Sequence, residues 1–575
     1  MARRTLLLAA LLLLFGGVLY AQGPSGGVKG RIVSRLTKAA VEGARVSLLR
    51  DALPLEEAAS DGKGNFVFEG IPDGNYILVV TAPEYLENRL KVVVSGGRMK
   101  NVFNVTLSAV HHVADDAPEA LFGSSDIYEN ISRYQFPFLR DNARGLEAAS
   151  RSVYLAGVRL EETSSSLWAG LGESMLASAF QSGAGFSGTA FGGINGTVEV
   201  AGTASSFRPG LRGNVLSNGA LYLLRSNLSY ATGPLKGGWS LAADIGGRAC
   251  PQRENLPGRP AVWYLGVDKA FSATSKLSAA VFQAQDPVAF LRYDYTPSSR
   301  FRAYLTALGQ LDGFRKGDLH LAGAFNWKLR ERFVLSGGAD GNIDRREGRE
   351  QDRVEAWLGS EYTVRRVNIL AAVRLGDVHR QGHHRHTYAA KAGVNYLWGA
   401  NTRAYANLGF FQDAPLEVEG EAPRTFSSDI NWSYNSNGIN IRATAYYLAR
   451  LNRDSYCAGA EIGLKLPVLI IPNLSLQGLL CAGVYGADPV MPPLVASAGL
   501  SWSNKAWFVD ADMQDVDGLF MVNLSAGKSW TLGGGRHLLG LSAAVRNLLN
   551  NAGTTETVSL VLPPLHYLVK LYFKI

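Results

Sequence analysis

Residues 211–575 consist of segments of about ten residues in which apolar and polar side chains alternate, separated by short turns. In the segment GINIRATAYYLARL, Ile439, Ile441 and Ala443 share one face, whereas Arg442 and Thr444 share the other. A period of two is that of a β-strand with two different faces. Roughly 22 such segments fit into this region, so the pattern predicts either a soluble sandwich or a transmembrane β-barrel.

The composition fits either a large β-protein or a β-barrel that exposes its apolar side to lipid. Hydrophobic residues make up 47% of the chain and charged residues only 18%, against about 25% charged in a typical soluble protein. After residue 21, no apolar run reaches the roughly 18 residues that a transmembrane helix needs. The formal net charge is +8, but no basic patch is interleaved with aromatic residues, so we expect no nucleic-acid partner.

The first residues, MARRTLLLAALLLLFGGVLYAQ, have the layout of a secretory signal. Arg3 and Arg4 precede an apolar run, and Ala21 supplies the small residue at the expected cleavage site. We therefore expect residues 1–21 to be a signal peptide. The three cysteines, Cys250, Cys457 and Cys481, are scattered and odd in number, which argues against a disulfide framework.

The last segment, HYLVKLYFKI, carries an apolar stripe on one face. Such a stripe is typical of the terminal strand of outer-membrane barrels, which the barrel assembly machinery is thought to read. The candidate signal residues are Tyr567, Val569, Leu571, Phe573 and Ile575.

The stretch GAGFSG, residues 183–188, fits the dinucleotide-binding pattern G-x-G-x-x-G. Its flanks do not fit, because the glycine-rich TAFGGINGTVEVAG follows where a helix should begin. No β-branched strand precedes the glycines, and no acidic residue follows at the spacing of a ribose contact. We therefore predict no nucleotide cofactor, and the glycines need another explanation.

Residues 22–108 contain short strands separated by the turns DGKGN and PDGN, which predict a small antiparallel β-sandwich. The run from GRIV to SDGKGNFVFEGIPDGNYILVV resembles the carboxypeptidase regulatory-like domain, a non-catalytic module. The positions that match its pattern are Gly43, Gly64, Phe66, Pro72, Gly74 and Tyr76. The resemblance implies no peptidase activity, since the zinc-binding catalytic domain is missing.

Residues 109–206 resemble the plug of TonB-dependent outer-membrane receptors of the Bacteroidetes type. We expect an alternating strand from Ser152 to Leu160, with the form V-x-L-x-G-V-x-L, before the segment AFGGINGTVEV. The resemblance implies that glycines let the plug backbone pack closely inside a barrel. The candidate packing positions are Gly157, Gly188, Gly192, Gly193 and Gly196.

The resemblance extends into residues 207–575, where SNGALYLLRSNLSYATGPLKGGWSLAADIGGR looks like the first barrel hairpins and AAVRNLLNNAG like a segment near the family's C-terminus. It implies an all-β chain with a sandwich, a plug and an outer-membrane barrel of about 22 strands. It also implies periplasmic N-terminal domains and uptake of a nutrient, such as a glycan, a peptide or a metal chelate. An inner-membrane TonB complex would pull on a coupling segment at Val110, His111, His112 and Val113.

Three departures keep alternatives open. The barrel lacks the family's long loops, SAVHHVADDA is a poor coupling segment, and RDNARGLE keeps only Arg144 and Gly145 of an expected R-x-R-G motif. A non-transporting structural or docking barrel is therefore the alternative function. A secreted adhesin is a third alternative and an outer-membrane enzyme the last, since no G-x-S-x-G elbow or acid pair indicates catalysis.

Two polar clusters have simple interpretations. The stretch HRQGHHRH contains His379, His383, His384 and His386, which we interpret as a solvated turn and not as a metal site. The stretch DRREGREQDR is expected to be a hairpin tip in water or lipopolysaccharide. Tryptophans near strand ends, including Trp239, Trp357 and Trp398, are expected to form interfacial girdles.

Overall fold

The structure is a computed structural model. It describes residues 25–35, 38–50, 53–82, 85–108, 126–136, 144, 152–160, 177–182, 190–194, 196–219, 222–249, 261–283, 287–312, 316–346, 349–380, 382–413, 422–436, 438–452, 455–486, 491–504, 506–533, 537–555 and 560–575.

The N-terminal strands form two small sheets around one apolar core. The strands are β1 (Ser25–Ser34), β2 (Arg45–Arg50), β3 (Leu53–Ala59), β4 (Asn65–Pro72), β5 (Gly74–Ala82), β6 (Tyr85–Val94) and β7 (Met99–Leu107). One sheet has the order β4-β1-β7 and the other the order β3-β2-β5-β6. The core between them includes Ile32, Leu48 and Leu78. The strands β1 and β7 run parallel, so the sandwich is mixed, not wholly antiparallel as expected.

The next elements form a small unit inside the barrel, which we call the plug. They are α1 (Ile127–Gln135), β8 (Ser152–Leu155), β9 (Val158–Leu160), β10 (Ala177–Ser182), β11 (Gly196–Val200) and a 3₁₀ turn (Ala204–Ser206). The four strands pair in the order β10-β11-β8-β9. The prediction of a single strand from Ser152 to Leu160 is wrong, because a tight turn at Ala156 and Gly157 divides this segment into β8 and β9.

Within the described residues, 22 strands close into an antiparallel barrel. They are β12 (Gly210–Asn218), β13 (Tyr222–Ala231), β14 (Trp239–Ala249), β15 (Ala261–Ser272), β16 (Ser275–Gln283), β17 (Pro287–Ser298), β18 (Phe301–Asp312), β19 (Lys316–Arg330), β20 (Phe333–Arg346), β21 (Arg349–Val364), β22 (Val367–Arg380), β23 (His383–Leu397), β24 (Thr402–Gln412), β25 (Arg424–Ser436), β26 (Ile439–Arg450), β27 (Ser455–Pro467), β28 (Leu474–Tyr485), β29 (Leu494–Ser503), β30 (Trp507–Val516), β31 (Leu519–Leu532), β32 (His537–Arg546) and β35 (His566–Lys574). Between the last two strands, β33 (Gly553–Thr554) and β34 (Val561–Leu562) form a short hairpin. The predicted all-β fold and the strand number are confirmed.

The two faces of the barrel wall differ in polarity. Leu265, Leu305 and Ile430 on the outer face are 58%, 63% and 66% exposed. The lumen face instead buries polar side chains such as Thr306 and Asp429. An apolar outside around a polar inside suits a barrel that is surrounded by lipid. The chain therefore has the architecture of an outer-membrane barrel.

The terminal strand β35 closes the barrel, because it pairs with β12 on one side and β32 on the other. Gly210 and Ile575 thus lie at the same end, which we call the C-terminal rim. The turns 299–300, 331–332 and 365–366 lie at this rim, and the turn 517–518 lies at the opposite one. Among the described residues, short turns therefore connect strands at both rims.

Among the described residues, no helix has the length and apolar character needed to cross a membrane.

Candidate functional site

The candidate functional site is the contact between the plug and the barrel wall. On one side of the plug, β8, β9 and β11 pack an apolar face against strands β13–β19. Leu155, Val198 and Phe207 of the plug meet Tyr264, Phe282 and Phe290 of the wall in this cluster. Tyr264 also donates a hydrogen bond of 2.6 Å to the carbonyl of Gly202. Burial of this kind holds the plug without requiring a directional contact.

The turn between β8 and β9 fits closely against the wall. Ala156 and Gly157 have positive φ values of 51° and 90°, as a two-residue hairpin turn requires. Thr306 donates a hydrogen bond of 2.7 Å to the carbonyl of Ala156, and Tyr304 one of 3.3 Å to the carbonyl of Gly157. A Cβ atom at Gly157 would overlap the Tyr304 ring. Glycine here serves both the turn and the close approach to the wall.

A second glycine contact involves a buried lysine of the wall. The Lys391 ammonium group donates hydrogen bonds of 2.7 Å to the carbonyl of Phe191 and 3.2 Å to that of Gly193. It also lies 4.8 Å from the centroid of the Phe191 ring, within cation–π range. Gly192 has a φ of 80°, and its amide donates to the Tyr154 hydroxyl at 3.2 Å. This segment is therefore held to the wall by its backbone.

Opposite charges join the plug to the wall at strands β21 and β22. Arg159 of β9 lies 3.3 Å from Glu355 of β21, and Arg374 of β22 lies 3.7 Å from the same carboxylate. Thr387 donates a hydrogen bond of 3.2 Å to Glu355 as well. The Glu355 side chain is almost fully buried, so its charge depends on these partners.

The plug helix α1 begins with a charged contact. Asp126 precedes the helix, accepts a hydrogen bond of 3.1 Å from the amide of Glu129, and so acts as the N-cap. The same carboxylate accepts a bond of 2.8 Å from Arg442 of β26. Ile127 and Ile131 then face an apolar cluster with Leu479 of β28. The N-cap residue Asp126 and the apolar face of α1 together fix the helix on strands β26–β28.

Arg144 connects the plug to a buried carboxylate of the wall. Its guanidinium donates hydrogen bonds of 3.0 Å and 3.2 Å to the two oxygens of Glu461 in β27. Arg442 reaches the same carboxylate at 3.3 Å, and Asp429 lies 3.9 Å from Arg144. The Cys457 thiol donates to the carbonyl of Arg144 at 3.0 Å. One glutamate thus holds two buried arginines, one from the plug and one from the wall.

Several other candidate residues lie outside this site. Tyr567, Val569, Leu571 and Ile575 are exposed on the outer face of the wall, and the Phe573 ring covers Gly213 of β12. Gly196 has a φ of 131° and begins β11, paired with Ser182. The coupling segment Val110, His111, His112 and Val113, together with Gly188 and the stretch 183–188, lies outside the described residues.

The histidine cluster lies at the rim opposite the C-terminus. The rings of His379 and His384 stack at 4.4 Å, and Asp377 lies 3.4 Å from His384 and 3.2 Å from His386. His384 and His386 are largely exposed. In the part of the chain that the structure describes, no group of three metal-ligating side chains could hold an ion.

Solved structures with the same architecture identify the fold. The copper transporter OprC aligns with a TM-score of 0.57 and 14% identity, over 75% of this chain and 91% of its own. The fold is that of TonB-dependent receptors. The ferric-catecholate import receptor Fiu from E. coli K12 aligns with a TM-score of 0.57 and 11% identity, over 79% of this chain and 95% of its own. The FrpB iron transporter from Neisseria meningitidis aligns with a TM-score of 0.56 and 9% identity, over 75% of this chain and 93% of its own.

The sequence itself matches one family. Residues 27–108 match the carboxypeptidase regulatory-like domain, as the resemblance indicates. No curated protein matches the chain significantly. The structures named above are transporters and receptors, and at 9–14% identity the likeness to them shows the fold.

Proposed function

We propose that this chain is an outer-membrane transporter-like receptor, in which the plug closes the lumen until a small solute is admitted. The observation that carries the proposal is a plug that, among the described residues, is fixed inside a closed 22-strand wall by ion pairs, backbone hydrogen bonds and apolar contacts. The architecture is shared with proteins that carry copper and iron compounds. The role is passage and not catalysis.

The distribution of contacts suggests where a path would open. The apolar cluster covers the side of the plug that faces β13–β19. The ion pairs of Arg159, Arg144 and Arg442 lie on β21 and β25–β27, beside a smaller apolar cluster around Phe191 and Phe411. Ion pairs and hydrogen bonds can exchange their partners for water or a polar solute, whereas the apolar cluster cannot. We therefore place the path of the solute between the plug and strands β21–β27.

The first prediction concerns the membrane. The full chain is expected in the outer membrane of expressing cells, because lipid can cover the apolar outer face. After extraction in detergent, boiling should change its mobility on a gel, since a closed barrel resists the detergent until it is heated. Recovery of the chain in the soluble fraction, with no change of mobility, would exclude the proposed function.

The second prediction separates transport from a structural role. We propose that an inner-membrane TonB complex pulls on Val110–Val113, while the C-terminal rim faces the periplasm and the opposite rim faces lipopolysaccharide. Replacing residues 109–116 by a glycine-serine linker of equal length keeps the tether but removes the pulled sequence. Uptake should fall to the level of cells that lack the protein.

The measurement uses four radiolabelled probes, namely a ferric catecholate, copper(II), an oligosaccharide and an oligopeptide. Deletion of residues 109–116 serves as a second variant, and heat-modifiability shows that each variant has a folded barrel. The competing function, a docking barrel for a surface complex, is favoured by the short turns at both rims. It predicts that none of the four probes enters through the unaltered chain and that the replacement changes nothing.

A further inference from the structure

The start of strand β6 in the regulatory-like domain is buried on both faces. Leu86, Asn88 and Arg89 are 2%, 9% and 6% exposed, and the side chain of Glu87 is 12% exposed. Further along the same strand, Lys91 and Val93 are exposed. An outer strand of a small sandwich ordinarily leaves one face in water. Something outside the sandwich therefore covers residues 86–89.

The cover is the C-terminal rim of the barrel. Asn435, at the end of β25, donates a hydrogen bond of 3.1 Å to the Glu87 carboxylate. Asn440, at the start of β26, donates hydrogen bonds of 3.2 Å to the carbonyl of Glu87 and 3.1 Å to the Asn435 side chain. Leu86 belongs to the same apolar cluster as Tyr128 of the plug helix. The domain thus reaches from the rim to the plug.

The Glu87 carboxylate at this contact is stabilised by arginines of both the domain and the rim. Glu87 accepts a hydrogen bond of 2.6 Å from Arg89. Burial opposes the charge of Glu87, but Arg89 and Arg403 outweigh it and hold the pKa of this carboxyl below its ordinary value. The carboxylate is therefore charged at neutral pH, and in the docked domain it is bound by Arg89 of its own strand and by Asn435 of the rim.

A second contact lies elsewhere on the rim. Glu42 of the domain lies 3.7 Å from Lys574 of β35. From β26, the wall passes through β27–β32 before it reaches β35, which is seven steps around a barrel of 22 strands. Two anchors about a third of the circumference apart place the domain across the opening and not beside it.

We propose that the carboxypeptidase regulatory-like domain is a cap that closes the C-terminal rim, in series with the plug. This inference goes beyond the proposed transport function, and its role as a gate rests on that function. The chain leaves the domain after Ser108, whose carbonyl accepts a hydrogen bond of 3.0 Å from the amide of Leu86. A pull on the segment that follows would act first on the docked end of β6. The cap would then leave the rim before the plug moves.

The test measures access to the lumen and needs no transported solute. Ser433 lies on the lumen face of β25, two residues before Asn435, and is 5% exposed. In a purified full chain that carries Cys250→Ser and Ser433→Cys, a charged maleimide dye should react slowly. Adding Asn435→Ala and Asn440→Ala should increase the labelling rate at least tenfold, because the domain loses its hydrogen bonds to this turn. The native Cys457 and Cys481 are buried and provide the internal background.

A matched control changes another ion pair of the same domain. Arg45 and Glu57 are paired at 2.8 Å on the exposed surface, so Arg45→Ala with Glu57→Ala should leave the labelling rate unchanged. Heat-modifiability shows that each barrel is folded. In a separate chain, Glu42→Cys and Lys574→Cys should be joined by a short bismaleimide, and the two asparagine substitutions should reduce the yield of that product.

Three results of these experiments would contradict the proposed cap. Fast labelling of Ser433→Cys in the otherwise unaltered chain, or equal rates with and without the asparagine substitutions, would overturn the cap. Failure to join Glu42→Cys to Lys574→Cys would overturn it as well. Failure of transport would appear only with the four radiolabelled probes, so the two proposals can fail independently.

Discussion

Replacing Glu461 by alanine should loosen the plug, with a cost of about 3–5 kcal/mol. The substitution leaves Arg144 and Arg442, which are 3% and 1% exposed, without the carboxylate that they share. Asp429 and Asp126 remain near the two arginines, but neither replaces the paired hydrogen bonds between Arg144 and Glu461. The plug residues around Arg144 should therefore exchange with solvent far more often.

Amide hydrogen exchange of α1 and thermal unfolding in detergent measure this effect. Glu461→Gln keeps a hydrogen-bond acceptor and the side-chain shape but removes the charge, so we expect an intermediate loss of stability. Glu57→Ala breaks the exposed pair with Arg45 and should cost less than about 1 kcal/mol. If Glu461→Ala and Glu57→Ala cause equally small losses of stability and of amide protection, the buried ion pair does not fix the plug.

The barrel could be predicted from the sequence because its signal is local and repeated. Each strand needs only alternation over about ten residues, and the sum of such segments gives the strand number. The same rule explains one error. Alternation continues from Val153 to Leu160 across the turn at Ala156 and Gly157, so one strand was expected where β8 and β9 pair with each other.

The contacts between plug and wall could not be predicted in the same way. Arg144 and Glu461 are 317 residues apart, and Arg442 and Asp126 are 316 apart, so no spacing links them. One element of the plug does have a local signal in the sequence. Asp126 and Glu129 have the spacing of a capping box before the apolar Ile127, Tyr128 and Ile131, which marks the start of α1.

Side-chain direction also escaped prediction at Trp357. It was expected in an interfacial girdle, but it faces the lumen and packs against the cluster around Phe191. Trp239, Trp398 and Trp507 do lie exposed at the C-terminal rim. Composition near a strand end therefore identifies candidates for a girdle, and only the pairing register determines which face each one occupies.

Replacing Gly157 by alanine should detach the turn between β8 and β9 from the wall. Two costs add together. An L-residue at a φ of 90° is strained, and the new Cβ overlaps the Tyr304 ring. Overpacking of a buried contact costs about 1–3 kcal/mol. Relief of the overlap by movement of the turn would break the hydrogen bond from Thr306 to Ala156.

Gly382→Ala isolates the first cost, the backbone strain, because Gly382 has a φ of 84° and nothing within 4 Å of its Cβ position. Amide exchange of β8 and β9, with thermal unfolding in detergent, should show a larger loss for Gly157→Ala than for Gly382→Ala. Adding Tyr304→Leu to Gly157→Ala should recover the loss of stability that is due to overlap and leave the loss that is due to backbone strain. Equal losses in the two single variants would mean that the turn does not rest on Tyr304, and the close approach of plug and wall would then depend on the apolar cluster and on the hydrogen bond from Thr306.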